Sequence, residues 1–184
     1  MNQATALGIL AEGHSVFLTG PAGAGKTYVL NAFIRHARKD GKSVAVTAST
    51  GLAATHLGGS TIHAWSGIGI ADELSKRHIH DMTKGRREQI ENADILIIDE
   101  VSMLHDFRLD MVDEICRKIR ESEEPFGGLQ VVLCGDFFQL PPINRDDGRS
   151  GGFIVGSSAW QNLQPVVCYL EEQHRQNTDD QLLD

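Results

Sequence analysis

The chain has few of the features that would stabilise a small secreted domain or place a protein in a membrane. It has only three cysteines, Cys116, Cys134 and Cys168, which lie far apart in apolar surroundings. Such spacing argues against a disulfide framework or a zinc site, so we expect three buried, reduced thiols. Its longest apolar runs, such as Ile95 to Ile98, have the length of a strand, whereas a transmembrane helix needs about 20 apolar residues. We therefore expect no membrane contact.

Targeting and metal-binding patterns are also absent from the sequence. The first residues, MNQATALGILAEG, have neither a basic region nor a continuous apolar stretch. We therefore expect no signal or transit peptide and a cytoplasmic location. Among eight histidines, no pair has supporting ligands at metal-binding spacing, and we expect His78 and His80 to be solvated.

Positive charge is in short supply. The 184 residues include 17 Lys and Arg against 25 Asp and Glu, for a formal charge of −8. Nucleic-acid-binding modules are usually basic because phosphate neutralisation supplies much of their affinity. The charge therefore argues against tight binding of DNA or RNA by this chain alone. The length allows one well-cored domain and is too short for two ordinary ones.

Strand and helix patterns alternate along the chain. Short apolar runs predict strands at 16–19, 43–47, 95–99, 130–135 and 166–170, and apolar residues at helical spacing predict helices over 26–39 and from Asp106. This alternation predicts an α/β fold, a three-layer sandwich with a mostly parallel central sheet. The polar stretch 72–91 is predicted as a surface helix or loop, and 144–152 as a flexible loop. In open parallel sheets ligands bind at the carboxyl ends of the strands.

The first predicted strand leads into GPAGAGKT, which matches the phosphate-loop pattern G-x-x-x-x-G-K-[ST] between a strand and a helix. Gly20, Gly23 and Gly25 would let backbone N–H groups surround the phosphates of a nucleotide. Lys26 can reach the β- and γ-phosphates, and the Thr27 hydroxyl can bind Mg²⁺. The alternative is a glycine-rich turn with a chance lysine. The order of strand, loop and helix favours ATP or a similar nucleotide.

Two acids, Asp99 and Glu100, follow the apolar strand ILII. Beside a phosphate loop, Asp99 would hold the hydration shell of Mg²⁺ and Glu100 would deprotonate the attacking water. The alternative is an ordinary turn with solvated acids. A general base beside the phosphates indicates a hydrolase more than a kinase.

Two more side chains are candidates for the same centre. Gln139, in VVLCGDFFQLPP, is a neutral amide just past a strand and stiffened by two prolines, and it is predicted to sense the γ-phosphate. A turn-capping residue is the alternative. Arg175, in EEQHRQ, can stabilise charge in the transition state, or can form a surface salt bridge with Glu171 or Glu172.

The segment TASTGLAATHLGGSTIHAW is rich in small and hydroxyl residues. Thr50, Thr61 and His63 offer neutral donors to phosphates, and Trp65 can stack on a base or pack in the core. From its chemistry alone this segment is equally a core-lining turn or a ligand surface.

Taken together, these motifs resemble those of the first RecA-like motor domain of Pif-type (petite integration frequency) DNA helicases in superfamily one. GPAGAGKT, ASTGLAATHLGGSTIHAWSGIG, IIDEVSML, PFGGLQVVLCGDFFQLPP and EEQHRQ occur in that family's order. The resemblance implies that Gln3 reads adenine, that Gln139 senses the γ-phosphate and that Arg175 is one of two arginines near it. It also implies that Thr50, Thr61 and His63 contact single-stranded DNA.

The resemblance further implies a 5′-to-3′ helicase that uses ATP and Mg²⁺. Residues 1–184 are expected to form one motor domain without the second motor domain of the family, so the chain alone should bind DNA weakly and unwind nothing. A monomer from a bacterial or phage source is expected. Two alternatives remain: a nucleotide-dependent switch without translocation, and a small-molecule kinase, which the short, acidic segment 145–152 disfavours as a lid.

Overall fold

A sheet of six parallel strands runs through the described residues, 1–138 and 140–171, of the computed structural model. The strands are β1 (Val16–Thr19), β2 (Val44–Ala48), β3 (Ser60–Thr61), β4 (Ile95–Asp99), β5 (Gln130–Cys134) and β6 (Val166–Tyr169). Their order across the sheet is β3-β2-β4-β5-β1-β6. The helices are α1 (Gln3–Ala11), α2 (Lys26–Lys39), α3 (Gly51–Leu57), α4 (Ile62–Ser66), α5 (Lys76–His80), α6 (Lys84–Asn92), α7 (Asp106–Ile119) and α8 (Ser158–Leu163).

Helices cover both faces of the sheet, which confirms the predicted three-layer α/β sandwich. The central strand β4 alternates between the two layers: Ile95 and Ile97 pack into one apolar cluster and Leu96 and Ile98 into the other. The first cluster also contains the apolar residues of α1 and α2, and the second contains those of α4, α6, α7 and α8. A strand covered on both sides is apolar throughout, as its sequence indicated.

The longest helices begin where the sequence predicts. Helix α2 starts at Lys26 and ends at Lys39, and its apolar residues are buried. Helix α7 starts at Asp106, and its apolar repeat, from Leu109 to Ile119, is buried as well. Strand β2 is shifted by one residue at both ends from its predicted range, and β5 and β6 each end one residue earlier than predicted.

Several elements were not predicted because their sequences are short or lack a clear period. They are α1, α3, α4, α8 and the two-residue strand β3. Helix α1 is almost uniformly apolar or small, and the Asn2 side chain caps it by accepting a hydrogen bond from Thr5 N at 2.8 Å. The polar stretch 72–91 forms two short helices, α5 and α6.

The segment 144–152 contains no helix or strand, as predicted, but it is attached at defined points instead of being free. Arg149 N donates to Asp72 Oδ2 at 3.0 Å, and Gly151 N donates to Asn144 Oδ1 at 2.9 Å. The predicted loop is therefore confirmed, and its flexibility remains a prediction. No local pattern in the sequence indicates that Asp72, far away in the chain, would bond to it.

The three cysteines are buried and free, as expected. Burial raises the pKa of the Cys134 thiol, with a further contribution from Asp99. Within 1–138 and 140–171, no helix combines the length and the apolar character that a bilayer crossing requires.

Candidate nucleotide site and nucleic-acid cleft

Three neighbouring strands end side by side at one edge of the sheet. Strand β5 lies between β1 and β4, with Leu18 opposite Cys134 and Ile98 opposite Leu133. The phosphate loop follows β1 and the acids follow β4. The topology therefore brings Lys26, Asp99 and Glu100 to the same edge, which their separation in sequence does not reveal.

The phosphate loop has the backbone that its glycines permit. Gly25 precedes α2 with φ of 93°, in the left-handed region that favours glycine. Gly20 also has positive φ, and a Cβ there would lie 2.5 Å from Leu170 O at the end of β6. Gly23 has φ of 81° with open space around it. The loop is thus set by local geometry and by close contact with the neighbouring strand.

The side chain of Lys26 lies inside its own loop. Its Nζ donates to Gly20 O at 2.6 Å and to Pro21 O at 3.1 Å. Thr27 follows on the first turn of α2. The ammonium group can exchange these two carbonyl oxygens for phosphate oxygens without leaving the loop.

Gln3, on α1, contacts the same loop from the other side. Its Nε2 donates to Ala24 O at 3.2 Å, and its amide lies against Gly25 so closely that a Cβ on Gly25 would collide with it. A cleft of about 370 Å³ opens beside it, lined also by Leu7 and Tyr28. The structure therefore places Gln3 beside the phosphate loop, at the mouth of a space where a base can enter.

The two acids differ in backbone conformation. Asp99 Oδ1 accepts a hydrogen bond from Glu100 N at 2.9 Å. Glu100 itself has φ of 54°, an uncommon conformation for a residue other than glycine. Burial, followed by the negative charge of Asp99, raises the pKa of Glu100, while the positive charge of Lys26 lowers it. A carboxyl group with a raised pKa is a better proton acceptor at neutral pH.

Ser49, which the sequence analysis did not single out, fixes this acidic turn. Its backbone N–H donates to Asp99 O at 3.0 Å and its Oγ donates to Glu100 O at 2.6 Å. Ser49 follows β2, the strand next to β4. Only the strand order places it there, so no local signal in the sequence identifies it.

A second serine, Ser102, lies within the acidic turn, and its hydroxyl lacks a hydrogen-bond partner among the described residues. Ser102 is fully buried, and its Oγ has no hydrogen-bond partner in the part of the chain that the structure describes. An unpaired buried hydroxyl costs about 1–3 kcal/mol. The turn after Glu100 therefore contains one hydroxyl that is unpaired within 1–138 and 140–171, at an otherwise well-bonded edge.

The donors at this edge fit Mg²⁺. This ion keeps several water ligands and takes one or two carboxylates together with phosphate oxygens. Thr27 offers a hydroxyl, and Asp99 has a carboxylate oxygen that the bond from Glu100 N leaves free. In residues 1–138 and 140–171 there is no group of three His, Cys, Asp or Glu side chains suited to a metal held by protein ligands alone.

The three predicted DNA contacts line one cleft. Thr50, Thr61 and His63 surround a space of about 590 Å³ together with His105 and Arg145, among others. The structure thus brings together three residues whose segment, from its chemistry alone, was equally a core-lining turn or a ligand surface.

Both threonines in this cleft cap helices. Thr50 Oγ1 accepts from Ala53 N at 3.3 Å, and Thr61 Oγ1 accepts from Ala64 N at 3.2 Å. A hydroxyl that accepts a capping bond still has its own proton to donate. Each threonine can therefore cap its helix and donate to a phosphate at the same time. Trp65, by contrast, is 8% exposed and packs in the core.

Burial and two neighbouring basic side chains keep His63 neutral. Burial lowers the pKa of His63, and the charges of Arg108 and His105 lower it further. At neutral pH the side chain is therefore a neutral donor, as the sequence analysis assumed.

Arg108 is a further residue that the sequence analysis missed. It is 7% exposed, and its guanidinium donates to Ala71 O at 2.9 Å, to Gly69 O at 3.3 Å and to Asp72 Oδ1 at 3.0 Å. These bonds shape the wall of the cleft. In the sequence Arg108 is one of several charged residues on a helix, with nothing to mark it as buried.

Two predicted site residues, Gln139 and Arg175, lie outside the described residues.

The chain is similar to known helicases over nearly its whole length. The profile of the family described as PIF1-like helicase matches residues 1–183. An ATP-dependent DNA helicase Pif1 of Psychrobacter sp. (strain PRwf-1) is 49% identical over 98% of this chain, and an ATP-dependent DNA helicase PIF1 of Saccharomyces cerevisiae (strain YJM789) is 44% identical over 95% of it. The chain spans 28% and 21% of the length of these two relatives.

Solved structures give the same result. The Pif1 helicase of Candida albicans superposes with a TM-score of 0.87 at 38% identity, covering 97% of this chain and 41% of that one. The Bacteroides Pif1 helicase in complex with ADP-AlF3 and ssDNA superposes with a TM-score of 0.80 at 32% identity, covering 95% of this chain and 42% of that one. The matched profile, the two sequence relatives and these structures agree with the motifs at the strand ends, and the chain belongs to the PIF1-like helicase family.

Proposed function

We propose that this chain is the ATP-binding and ATP-hydrolysing motor domain of a 5′-to-3′ DNA helicase, the polarity being that of the family it resembles. The observation that carries the proposal is the convergence of Lys26, Asp99 and Glu100 at one edge of the sheet. A cleft with neutral phosphate donors begins at Thr50. The preceding residue, Ser49, donates a hydrogen bond to Glu100 O in the acidic turn.

In this proposal, Lys26 exchanges its bonds to Gly20 O and Pro21 O for the β- and γ-phosphates of ATP. Thr27 and Asp99 hold Mg²⁺, which neutralises phosphate charge when it is bound. Glu100 takes a proton from the attacking water, a role that its raised pKa favours.

Three further residues complete the proposed site. Gln3 reads the adenine base from its position beside Gly25, after giving up its bond to Ala24 O. Gln139 senses the γ-phosphate, and Arg175 stabilises the charge that develops on it.

Single-stranded DNA is the proposed second ligand. Thr50, Thr61 and His63 donate to its phosphates from the cleft. The net charge of −8 implies that this chain alone binds DNA weakly. We place the remaining contacts on a second motor domain, with residues 1–184 forming one RecA-like domain and acting as a monomer. The structure of the Bacteroides Pif1 helicase in complex with ADP-AlF3 and ssDNA supports this pair of ligands.

The test is the steady-state release of phosphate from ATP by the 184-residue chain, with and without single-stranded DNA and with Glu100→Gln as a control. Intact Mg²⁺-dependent ATP binding with negligible turnover is expected, because the second domain is needed to complete the site. Absence of ATP binding would overturn the proposal. Turnover that depends on an added phosphate acceptor would instead indicate a kinase.

A nucleotide-dependent switch remains the alternative. The raised pKa of Glu100 favours hydrolysis over a passive site. The two are separated by measuring phosphate release from this chain joined to the part of the Psychrobacter relative that it does not span. Stimulation of phosphate release by single-stranded DNA is expected for a motor, and nucleotide binding without stimulation is expected for a switch.

A further inference from the structure

Positive charge is concentrated in one segment of this acidic chain. Residues 75–87, SKRHIHDMTKGRR, contain five of the 17 Lys and Arg residues and one of the 25 acids. The segment therefore has a formal charge of +4, and the remaining residues, with 12 basic and 24 acidic side chains, have a charge of −12. We refer to its five cationic residues as the basic patch: Lys76, Arg77, Lys84, Arg86 and Arg87.

The fold holds the two halves of this segment together. Helix α5 contributes Arg77 and helix α6 contributes Arg86 to the walls of one cavity of about 280 Å³. Arg87 links the helices because its guanidinium donates to Ile79 O at 2.8 Å. The cationic groups thus form one surface instead of being spread along an extended loop.

The most exposed members of the basic patch have few partners among the described residues. Lys84 is 90% exposed and has one weak ion pair, at 3.7 Å from Glu88. Lys76 and Arg77 are exposed as well. Such exposed pairs contribute little to stability, so these side chains can exchange water or a carboxylate for a phosphate at small cost.

The basic patch is next to the nucleic-acid cleft. Helix α4 separates the two: Thr61 and His63, at its start, line the cleft, and Gly67, just after its end, lines the cavity of the patch. Five helical residues span about 7.5 Å at 1.5 Å per residue. Arg86 packs against Gly67, since a Cβ on that glycine would lie 3.1 Å from Arg86 Cδ. A strand that leaves the cleft along α4 therefore meets the patch directly.

We propose that the basic patch is a second phosphate-binding surface, which holds the continuation of the single-stranded DNA that occupies the cleft. The inference rests on the proposed function of the cleft. Charge complementarity supports it, because this segment has a charge of +4 whereas the remaining residues together have a charge of −12. The neutral donors of the cleft position the strand, and the patch supplies the electrostatic affinity.

The test compares two triple variants in binding to labelled oligothymidylates of about 4 to 16 nucleotides, a range of site sizes typical of single-strand binders. One variant is Lys76→Ala/Arg77→Ala/Lys84→Ala in the basic patch. The matched control is Arg35→Ala/Lys39→Ala/Lys42→Ala, which removes the same charge from exposed positions in and just after α2, on the opposite face of the sheet. Fluorescence anisotropy at low ionic strength measures the affinity, and circular dichroism with Mg²⁺-nucleotide binding checks the fold.

With the longest oligonucleotides, the patch variant is expected to lose about tenfold or more in affinity. Its plot of log affinity against log salt should be less steep by about 2, since each single-strand phosphate contact contributes about 0.7. With the shortest oligonucleotides, which fill only the cleft, it should match the wild type. The control should match the wild type at every length, apart from a small effect of net charge.

Equal losses in both triple variants would overturn the inference, because they would reflect net charge alone. A loss that is independent of oligonucleotide length would overturn it as well, since the patch would then not lie beyond the cleft. Wild-type chain that binds no oligonucleotide at low salt would count against the proposed function of the cleft. Wild-type binding that the patch variant retains in full would count against the patch alone.

Discussion

The phosphate loop and the nucleic-acid cleft lie at the same edge of the sheet but are built in opposite ways. The loop takes its contact groups from consecutive residues between a buried strand and a long helix. The cleft takes side chains from separate segments, among them Thr50, His63, His105 and Arg145. In the loop the polar groups are largely backbone, whereas in the cleft they are side chains on short helices and loops.

This difference determines how well each region tolerates amino-acid substitutions. The loop is one local structure, so a single substitution can remove most of its function. The cleft spreads its contacts over several weak donors, so each substitution should remove only a part. The following predictions test this contrast, from the largest expected effect to the smallest.

Lys26→Ala should have the largest effect, because the ammonium group is the charged donor inside the loop. We expect a loss of about 100-fold in Mg²⁺-ATP affinity, since a hydrogen bond to a charged group contributes about 1.5–3 kcal/mol and Lys26 can make more than one. Isothermal titration calorimetry measures it, with Lys118→Ala, an exposed lysine paired to Glu114, as the control. Affinity for single-stranded DNA should not change; a parallel loss would show that loop and cleft are not independent.

Gly25→Ala should reduce nucleotide affinity by about tenfold, because a left-handed residue other than glycine costs about 1–2 kcal/mol. The new Cβ would also displace the Gln3 amide from its position beside the loop. Gly23→Ala is the matched control, since its φ is also positive but its Cβ would meet nothing within 4 Å.

A double-mutant cycle sharpens this prediction. Gln3→Ala removes the group that collides with the added Cβ, so the double variant Gln3→Ala/Gly25→Ala should lose less than the sum of the two single losses. Strict additivity, or equal losses for Gly23→Ala and Gly25→Ala, would show that the contact between Gln3 and Gly25 is unimportant.

Thr61→Ala should have a moderate effect on two quantities at once. Loss of the helix cap should lower stability by about 1 kcal/mol, and loss of the donor should weaken single-strand binding by about fivefold. Thermal unfolding and anisotropy measure the two effects, and Thr61→Ser should restore both. Thr83→Ala is the control, because Thr83 caps α6 by accepting from Arg86 N at 3.3 Å but does not line the cleft. A stable, normally binding Thr61→Ala chain would remove Thr61 from the cleft's donors.

Substitution of His63 should have the smallest effect, a change in the pH dependence of stability. Its pKa is lowered from 6.5 in the folded chain, so the unfolded chain binds a proton more readily. Stability is therefore full above pH 6.5 and decreases as the pH falls from there towards the folded pKa. His63→Gln should weaken this acid-side decrease in the melting temperature by a few degrees at most. His56→Gln, at an exposed position of α3, should leave it as in the wild type.

The contrast between the two regions also explains how much could be predicted from the sequence. Helix α2 and the loop before it were predicted to the residue, because the glycines, the lysine and the apolar period of the helix all act locally. The acids after β4 were found for the same reason. The roles of Lys26, Asp99 and Glu100 remain predictions until they are measured.

Other features depend on contacts between distant residues. Strand β3 pairs with β2 at Thr47 and Ala48 of that strand. This stretch of two residues is too short to show a periodic pattern. Ser49 reaches the acidic turn because β2 lies beside β4, and strand order is not written in any single segment. Arg108 is buried because Asp72 and the carbonyls before it surround it, so a residue that looks like a surface charge becomes part of a wall.

The bond from Ser49 Oγ to Glu100 O gives the two regions a short mechanical link. Ser49 precedes Thr50, so the hydrogen bonds of one residue and one peptide unit join the turn that carries the proposed base to the first residue of the cleft. A displacement of the Glu100 carbonyl must either break the bond from Ser49 Oγ or move Ser49 with it. The distance over which motion has to be transmitted is therefore that of one residue.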